Sequence, residues 1–197
     1  MATQFAMLEI MNAALISEGY DEIIVENDGS NEWRLLSRNW PLIVEAELED
    51  GNYYFTREQS FISLAQPGKF AFDWSYAIPQ SCLHVRRLWI EGTSGERDFP
   101  DWGQDGQRVY VNQANGVWIE TIEAATADIW TANFSRGVQM RLQAVLLRFK
   151  EEPSPAQMMD QQAEVCFQRA RTHSSKARSA TEPYKTSRFA KARFGRG

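Results

Sequence analysis

The spacing of apolar residues changes along this chain, and this change constrains the fold more than any other feature. Near both ends, apolar residues recur every three to four positions, whereas residues 53–123 alternate with a period of two. Helices and strands bury one face with these two different periods. The order of the patterns predicts two helices, a β-sheet insertion and two further helices.

The first two helices are predicted from their apolar stripes and end signals. Residues 3–18 place Phe5, Leu8, Met11 and Leu15 on one face, and a glycine follows at position 19 as a left-handed stop. The second helix is expected over residues 31–49, after an N-cap at Ser30. Its proline, at position 41, predicts a kink or split near the preceding tryptophan.

The central segment predicts strands rich in aromatic and β-branched residues. The expected strands are residues 53–64, 70–74, 83–91, 108–112 and 117–123. Turns are expected at Pro67-Gly68, residues 92–95, Asp105-Gly106 and Asn115-Gly116. An Asn-Gly pair is the strongest hairpin signal of this set.

Two more helices are predicted after residue 134. The third helix is expected to be capped by Ser135 and to stop before Pro153. The fourth is expected to take Ser154 as its cap and Pro155 as its first helical residue, and to fray after His173. The fold class is therefore α+β. An antiparallel bundle of about four helices (residues 1–52 and 134–173) carries an antiparallel β-sheet insertion (residues 53–133) and an extended basic C-terminal arm (residues 174–197).

The charge of the chain is strongly divided along its length. Residues 169–197 contain nine Lys or Arg and one acid, whereas residues 1–168 contain 12 basic and 25 acidic residues. The net charge of −5 therefore combines +8 and −13. Such a division indicates an acidic body and an arm that seeks an anionic partner.

Aromatic and basic residues alternate in the last part of the arm. Tyr184, Phe189 and Phe194 recur every five residues and are predicted to be anchors, with cations steering the approach. The predicted docking residues are Tyr184, Lys185, Arg188, Phe189, Lys191, Arg193, Phe194 and Arg196. A protein partner is the first interpretation, because the acidic body opposes DNA. Binding of single-stranded nucleic acid, which also uses cations and aromatic rings, is the alternative.

No motif in the sequence indicates catalysis or cofactor binding. Cys82 and Cys166 are far apart and predicted to be free thiols, and the Cys82-x-His84 pair lacks further metal ligands. Asp98, Asp101 and Asp105 lie in an acidic loop without calcium-loop spacing, so a metal-dependent hydrolase is only a third reading. No signal peptide or membrane span is predicted. We therefore expect a non-enzymatic protein that needs neither metal nor cofactor.

Several runs of the sequence resemble a known family. The run YAIPQSCLHVRR (residues 76–87) resembles the Tyr-x-Leu-Pro-x-Asp-Cys-x-x-Val pattern of bacteriophage head-to-tail connector proteins, the tail tubular protein A-like adaptors. The runs GQRVYV (106–111), VWIETI (117–122) and ADIWTANF (127–134) resemble paired strands and a helix entry of that family. The similarity spans about residues 5–175. The chain departs from the family in having Ser81 where Asp is usual and in Pro41.

This resemblance implies a structural role in the virion, at the interface between head and tail. It implies a homo-oligomeric ring of about twelve copies, assembled in the host cytoplasm and docked below the portal protein. The ring would extend the DNA channel and seat the next tail protein, a nozzle or tube component. Packaged DNA would pass through an acidic lumen without specific binding. The basic arm would reach for grooves between portal subunits, with affinity multiplied by the number of arms.

Overall fold

The helical periods at the two ends of the chain become four α-helices in the described residues. The computed structural model describes residues 7–92 and 95–178. The helices are α1 (Met7–Ser17), α2 (Asn31–Gly51), α3 (Ala132–Phe149) and α4 (Pro153–Arg178). Their apolar faces meet in one buried core, together with Ile23 and Tyr53. Helices from both ends of the chain therefore share a core, as the periods predicted.

The predicted C-terminal end of α1 and the predicted start of α2 are confirmed, whereas the predicted start of α1 at residue 3 lies outside the described residues. Gly19 has φ +75°, and the Tyr20 N–H donates to the Leu15 carbonyl at 3.0 Å, which closes the last turn of α1. The Ser30 hydroxyl accepts the Trp33 N–H at 3.0 Å. Both features were readable from sequence because each depends on one local residue type.

The predicted split at Pro41 is wrong, because α2 runs unbroken from Asn31 to Gly51. A proline in a helix interior costs about 3 kcal/mol. Leu36 precedes the proline and Val44 and Leu48 follow it, yet all three are buried in the helical core. Burial of about 1.5–3 kcal/mol for each large apolar side chain offsets the lost backbone hydrogen bond.

The predicted caps of α3 and α4 are also wrong. The N-cap of α3 is Thr131, whose hydroxyl accepts the Phe134 N–H, and Ser135 lies inside the helix. Helix α4 begins at Pro153, so Ser154 is helical. In each case the predicted cap lies within about one helical turn of the observed helix start. The type of side chain alone does not determine at which residue the helix begins.

Helix α4 continues beyond His173, where the sequence predicted fraying. Residues 174–178, the last described residues of the chain, are helical rather than part of an extended arm. Ser174 is only 6% exposed and its hydroxyl accepts the Tyr54 N–H at 3.2 Å. Tertiary contact with the segment after α2 therefore extends a helix that its own polar sequence would end.

The central segment forms eight strands in two antiparallel sheets, rather than the single sheet predicted. Their bounds are β1 (Arg57–Ile62), β2 (Ala65–Pro67), β3 (Trp74–Ala77), β4 (Cys82–Gly92), β5 (Gly95–Asp98), β6 (Gly103–Asp105), β7 (Arg108–Val111) and β8 (Val117–Glu123). The strand orders are β1-β8-β4-β5 and β2-β3-β7-β6. Apolar residues of both sheets fill a second core, which includes Tyr76, Val85, Val109 and Ile119.

The predicted hairpin at Asn115-Gly116 does not form, because β7 and β8 belong to different sheets. Gly116 has φ +83°, and its N–H donates to the Tyr76 hydroxyl at 3.2 Å. That hydroxyl donates in turn to the Gln113 carbonyl at 2.5 Å. The Asn-Gly pair thus lies in the connection from one sheet to the other and does not join two paired strands of a hairpin.

Another strand was predicted at the wrong place. Residues 70–73 form a turn in which Phe70 and Ala71 have φ +55° and +68°, and β3 begins at Trp74. The aromatic residues there resembled a strand, but their role is to close the β2–β3 connection. The short strands β2, β5 and β6 were not predicted, since three or four residues carry too little periodicity. The expected turn at Asp105-Gly106 is confirmed between β6 and β7.

Candidate interaction site

The eight predicted docking residues of the arm, Tyr184, Lys185, Arg188, Phe189, Lys191, Arg193, Phe194 and Arg196, lie outside the described residues. Their predicted role therefore stays a prediction. What the structure does define is the position of α4 up to Arg178, the last described residue before these arm residues. It also defines the surfaces within reach of that point.

The end of α4 is tied to the end of α2 by a buried polar cluster. The Arg171 guanidinium donates to the Glu47 carboxylate at 2.7 Å and to Glu164 at 3.1 Å. The Tyr53 hydroxyl donates to the same Glu47 carboxylate at 2.6 Å. Only 12% of the Glu47 side chain is exposed, so these bonds form in a partly desolvated setting.

The electrostatics of this cluster favour a neutral tyrosine and a charged arginine. Burial, followed by the hydrogen bond to Glu47, raises the pKa of Tyr53 far above its usual range. Burial on its own lowers the pKa of Arg171, but the bonds to Glu47 and Tyr53 outweigh it and raise that pKa. A neutral tyrosine and a charged arginine therefore hold one carboxylate between them.

The same cluster corrects the charge division inferred from sequence. Arg169, Arg171, Lys176 and Arg178 were counted with the arm, but all four lie in α4. Arg171 is paired with two glutamates. Residues 179–197, which follow α4, contain five Lys or Arg and one Glu. The segment that remains for a partner thus carries +4 rather than +8.

A cleft of about 460 Å³ lies between α2 and the connection from β8 to α3. We call it the Trp40–Trp130 cleft. Its α2 wall consists of Trp40, Pro41, Val44, Glu45 and Leu48, and its other residues are Met7, Ala124, Ala125, Thr126, Ala127, Asp128 and Trp130. Most of these side chains are apolar or small, which suits a cleft for apolar groups.

Two stacked tryptophans stiffen the cleft. The rings of Trp40 and Trp130 lie 5.5 Å apart with 17° between their planes. Trp130 also meets Phe134 edge to face at 4.7 Å, and its indole N–H donates to the Ala125 carbonyl at 2.9 Å. The ring positions are thus set by the core and the backbone, and the cleft is preformed.

The charged residues of the cleft are all acidic. They are Glu45 and Asp128, and none of the described Lys, Arg or His residues lines it. Neither carboxylate makes an ion pair with the part of the chain that the structure describes. The Asp128 carboxylate accepts the Thr126 hydroxyl. Apolar walls with an unpaired acidic rim suit an aromatic group carried next to cations.

The Cys82-x-His84 pair is not brought together. Two residues at this spacing share a face of a regular strand, but the register of β4 shifts between Cys82 and His84. Cys82 is buried and His84 is exposed. Burial, with a contribution from the Glu123 charge, raises the pKa of the Cys82 thiol to about 11. It is thus a core thiol, as the sequence favoured over a metal ligand.

The acidic loop does not gather its carboxylates either. Asp98 ends β5 and pairs with Arg87, while Asp105 ends β6 opposite Arg108. Within residues 7–92 and 95–178, no group of three His, Cys, Asp or Glu side chains has the arrangement of a metal site. The prediction that these three aspartates lie in one loop was incomplete, because two of them are the last residues of strands.

Sequence reasoning missed the Trp40–Trp130 cleft as a unit. Its walls come from positions about 85 residues apart, so only the fold brings them together. The available signals were a Trp-Pro pair inside a helix and the small residues that precede Asp128, and neither by itself indicates a cleft.

No helix in the described part of the chain is long and apolar enough to cross a membrane. No protein-family model and no curated protein matches this chain.

Proposed function

We propose that this protein is a structural component of a bacteriophage virion, a head-to-tail adaptor that acts as a ring below the portal protein. In this role the helical part, predicted to be an antiparallel bundle, packs copies side by side. The arm docks on the portal, and the other side of the ring receives the next tail protein. DNA passes through the centre, and no catalysis is required.

One observation carries this proposal: helices from both ends of the chain share a single core, and a separate β unit emerges between the second and third helices. This is the order of elements that the family resemblance implies. The termini of such a unit lie in the same helical layer, so a C-terminal arm leaves from the part that would pack in a ring. The polar cluster of Glu47, Tyr53 and Arg171 anchors that exit point.

The distribution of charge also supports the proposal. Residues 7–52, which contain α1 and α2, carry eleven acidic and two basic residues. A ring that lines its channel with this surface would repel the phosphates of DNA and let it slide. The basic segment after α4 would in contrast be drawn to acidic grooves on a partner.

Nucleic-acid binding through the arm is the alternative. It predicts affinity for DNA that falls steeply with salt, because several phosphate contacts release counterions. With five cations after α4 rather than nine, and an acidic body beside them, the arm offers fewer phosphate contacts than the sequence suggested.

The test is binding of the full-length chain to the purified portal ring of the phage that encodes it, followed by native mass spectrometry. We expect a complex with one copy of this protein for each portal subunit, and no such complex for a chain that lacks residues 183–197. A matched control replaces the arm cations by glutamine but keeps Tyr184, Phe189 and Phe194, and should bind more weakly rather than not at all. Undiminished binding by the truncated chain would contradict the docking role, and DNA binding without portal binding would favour the alternative.

A further inference from the structure

We propose that the Trp40–Trp130 cleft receives the ring of Phe70 from a second copy of this chain. The contact is heterologous, because one copy supplies the aromatic ring and the next copy supplies the cleft. It names the residues that join neighbouring copies and, as a contact within a ring, rests on the proposed function. Association of the copies needs neither portal protein nor DNA, so the two proposals are tested separately.

Phe70 is presented by a short loop that has a strained backbone. We call residues 68–73 the Phe70 loop. Phe70 and Ala71 have φ +55° and +68°, a conformation that residues other than glycine rarely adopt. The Gly68 N–H donates to the Asp73 carbonyl at 2.9 Å and closes the loop at its base. Strain that the surrounding structure maintains in this way is found most often in functional segments.

The ring of Phe70 projects from this loop into solvent. Phe70 is 69% exposed, more than any other described aromatic residue. Its ring meets the Tyr110 ring edge to face, with 5.5 Å between the centroids. This contact restrains the ring without burying it, so Phe70 loses little conformational entropy when it binds a partner.

Lys69 places a positive charge directly beside this ring. The described residues contain no ion-pair partner for Lys69. Phe149 is the other exposed aromatic residue of the described chain that has cations next to it in sequence. Its neighbours Arg148 and Lys150, however, are already bound to a carboxylate and to a backbone carbonyl. The Phe70 loop is therefore the better donor of an aromatic ring and a cation together.

The Trp40–Trp130 cleft has the matching chemistry. Its walls are apolar, and its volume of about 460 Å³ admits a phenyl ring. With Phe70 in the cleft, the ammonium of Lys69 can reach the acidic rim formed by Glu45 and Asp128. Neither rim carboxylate has an ion-pair partner in the described chain, so the contact breaks no existing pair. Hydrophobic burial and charge complementarity thus favour the same arrangement.

The loop and the cleft of one copy do not meet each other. The Phe70 loop packs on β7 through Tyr110, whereas the cleft is lined by residues of α1, α2 and the connection from β8 to α3. A second copy must therefore supply the ring. Each copy that joins leaves one ring and one cleft open, and heterologous contacts of this kind build closed rings or filaments.

Sedimentation velocity on the full-length chain, without portal protein, tests the contact. We expect the natural chain to self-associate and Phe70→Ala to raise the Kd of association by about thirtyfold or more, because a buried aromatic anchor dominates a contact. Phe149→Ala is the matched control and should leave the Kd unchanged. A natural chain that stays monomeric at its highest soluble concentration, or equal losses in the two variants, would overturn the proposal. Circular dichroism checks that each variant folds.

Mixing two variants tests whether the contact is heterologous. Phe70→Ala keeps the cleft, whereas Glu45→Lys with Asp128→Lys keeps the ring. Each variant alone should be monomeric, and the mixture should form a one-to-one pair and nothing larger, since only one intact ring and one intact cleft remain to meet. Native mass spectrometry measures the masses. Absence of the pair, or a mixed assembly larger than the pair, would contradict the proposal.

A photoreactive benzoylphenylalanine in place of Phe70 locates the contact. Labelled ¹⁵N and unlabelled ¹⁴N chains are mixed, so that peptide masses distinguish links between copies from links within one copy. We expect links from position 70 to residues 40–48 or 124–130 of the other copy. Links between copies that lie only elsewhere would rule out this cleft as the receptor. Portal binding is measured in its own experiment, so either proposal can fail while the other holds.

Discussion

At the scale of single residues, Gly116 has the turn conformation that the sequence predicted, but this turn does not form the predicted hairpin. Its positive φ matches the turn chemistry of an Asn-Gly pair. A Cβ atom there would lie 2.4 Å from Phe61 Cζ and 3.0 Å from the Ile62 carbonyl oxygen. The glycine is therefore needed both for its backbone conformation and for the close approach of β1.

Gly116→Ala is expected to lower the free energy of unfolding by about 2–4 kcal/mol, since left-handed strain and overpacking add. Gly106→Ala is the matched control, because Gly106 has φ +53° but nothing within 4 Å of a Cβ atom. It should cost about 1 kcal/mol from strain alone. Urea unfolding measures both, and equal losses would show that the contact with Phe61 is unimportant.

The buried thiol of Cys82 should be unreactive in the folded protein. With its pKa at about 11, its thiolate fraction at pH 8 is on the order of a hundredfold below that of an ordinary cysteine. Alkylation by iodoacetamide, followed by peptide mapping, should therefore be slower by about that factor than in urea. Similar rates in the folded and unfolded chain would exclude this environment for Cys82.

The same raised pKa makes stability depend on pH. The thiol of the unfolded chain ionises first as pH rises, so the contribution of Cys82 to stability is full below about pH 8.5 and is lost towards pH 11. The Cys82→Ala variant should lose less stability over this interval than the natural chain.

At the scale of elements, a polar cluster joins α4 to α2 in addition to the apolar core that both helices share. Glu47 accepts from Tyr53 and Arg171, and Arg171 also meets Glu164. Further pairs on α3 and α4 join Arg141 and Arg148 to Asp160. These contacts hold α4 against α2 and α3.

Replacing Arg171 by methionine should destabilise the protein by about 1–3 kcal/mol, because the Glu47 carboxylate stays buried without its cation. Arg148→Met is the control: Arg148 has 54% of its side chain exposed, and its pair should contribute about 0–1 kcal/mol. Thermal and urea unfolding measure both variants. A smaller loss for Arg171→Met than for Arg148→Met would contradict the role of the cluster.

The extension of α4 to Arg178 can be tested at Ser174. Ser174→Ala removes the acceptor of the Tyr54 N–H and should cost about 1 kcal/mol. Ser175→Ala is a neighbouring control, because Ser175 is exposed and bonds only to Thr172 within α4, so it should be neutral or slightly stabilising. Hydrogen exchange should also become faster at Tyr54 in the first variant alone.

At the scale of the whole molecule, two hydrophobic cores divide the described chain into a helical part and a β part. In the helical core, where the chain enters and leaves the β part, Tyr53 stacks on Phe55 and both rings meet Phe134 edge to face. The polypeptide therefore crosses between the parts through packed aromatic residues. These aromatic contacts connect the two parts, although each core has its own apolar residues.

A chain that ends at residue 178 should fold like the full-length protein, since both cores lie before that residue. Its net charge becomes −9, because residues 179–197 carry +4. We expect the same far-ultraviolet circular dichroism per residue in the helical and β parts, one cooperative unfolding transition, and later elution from an anion-exchange column. Loss of cooperative unfolding would mean that the C-terminal segment is part of the core.

The sequence by itself determined the mixed α+β class, the order of elements and most helix and strand positions, because these depend on local periodicity and on capping residues. It did not predict the cleft, because periodicity carries no information on which distant surfaces meet. The tertiary structure decided the division into two sheets, the continuity of α2 through Pro41 and the continuation of α4 past His173. Each of these is settled by burial against residues far away in the chain, whose free energy exceeds the local preference.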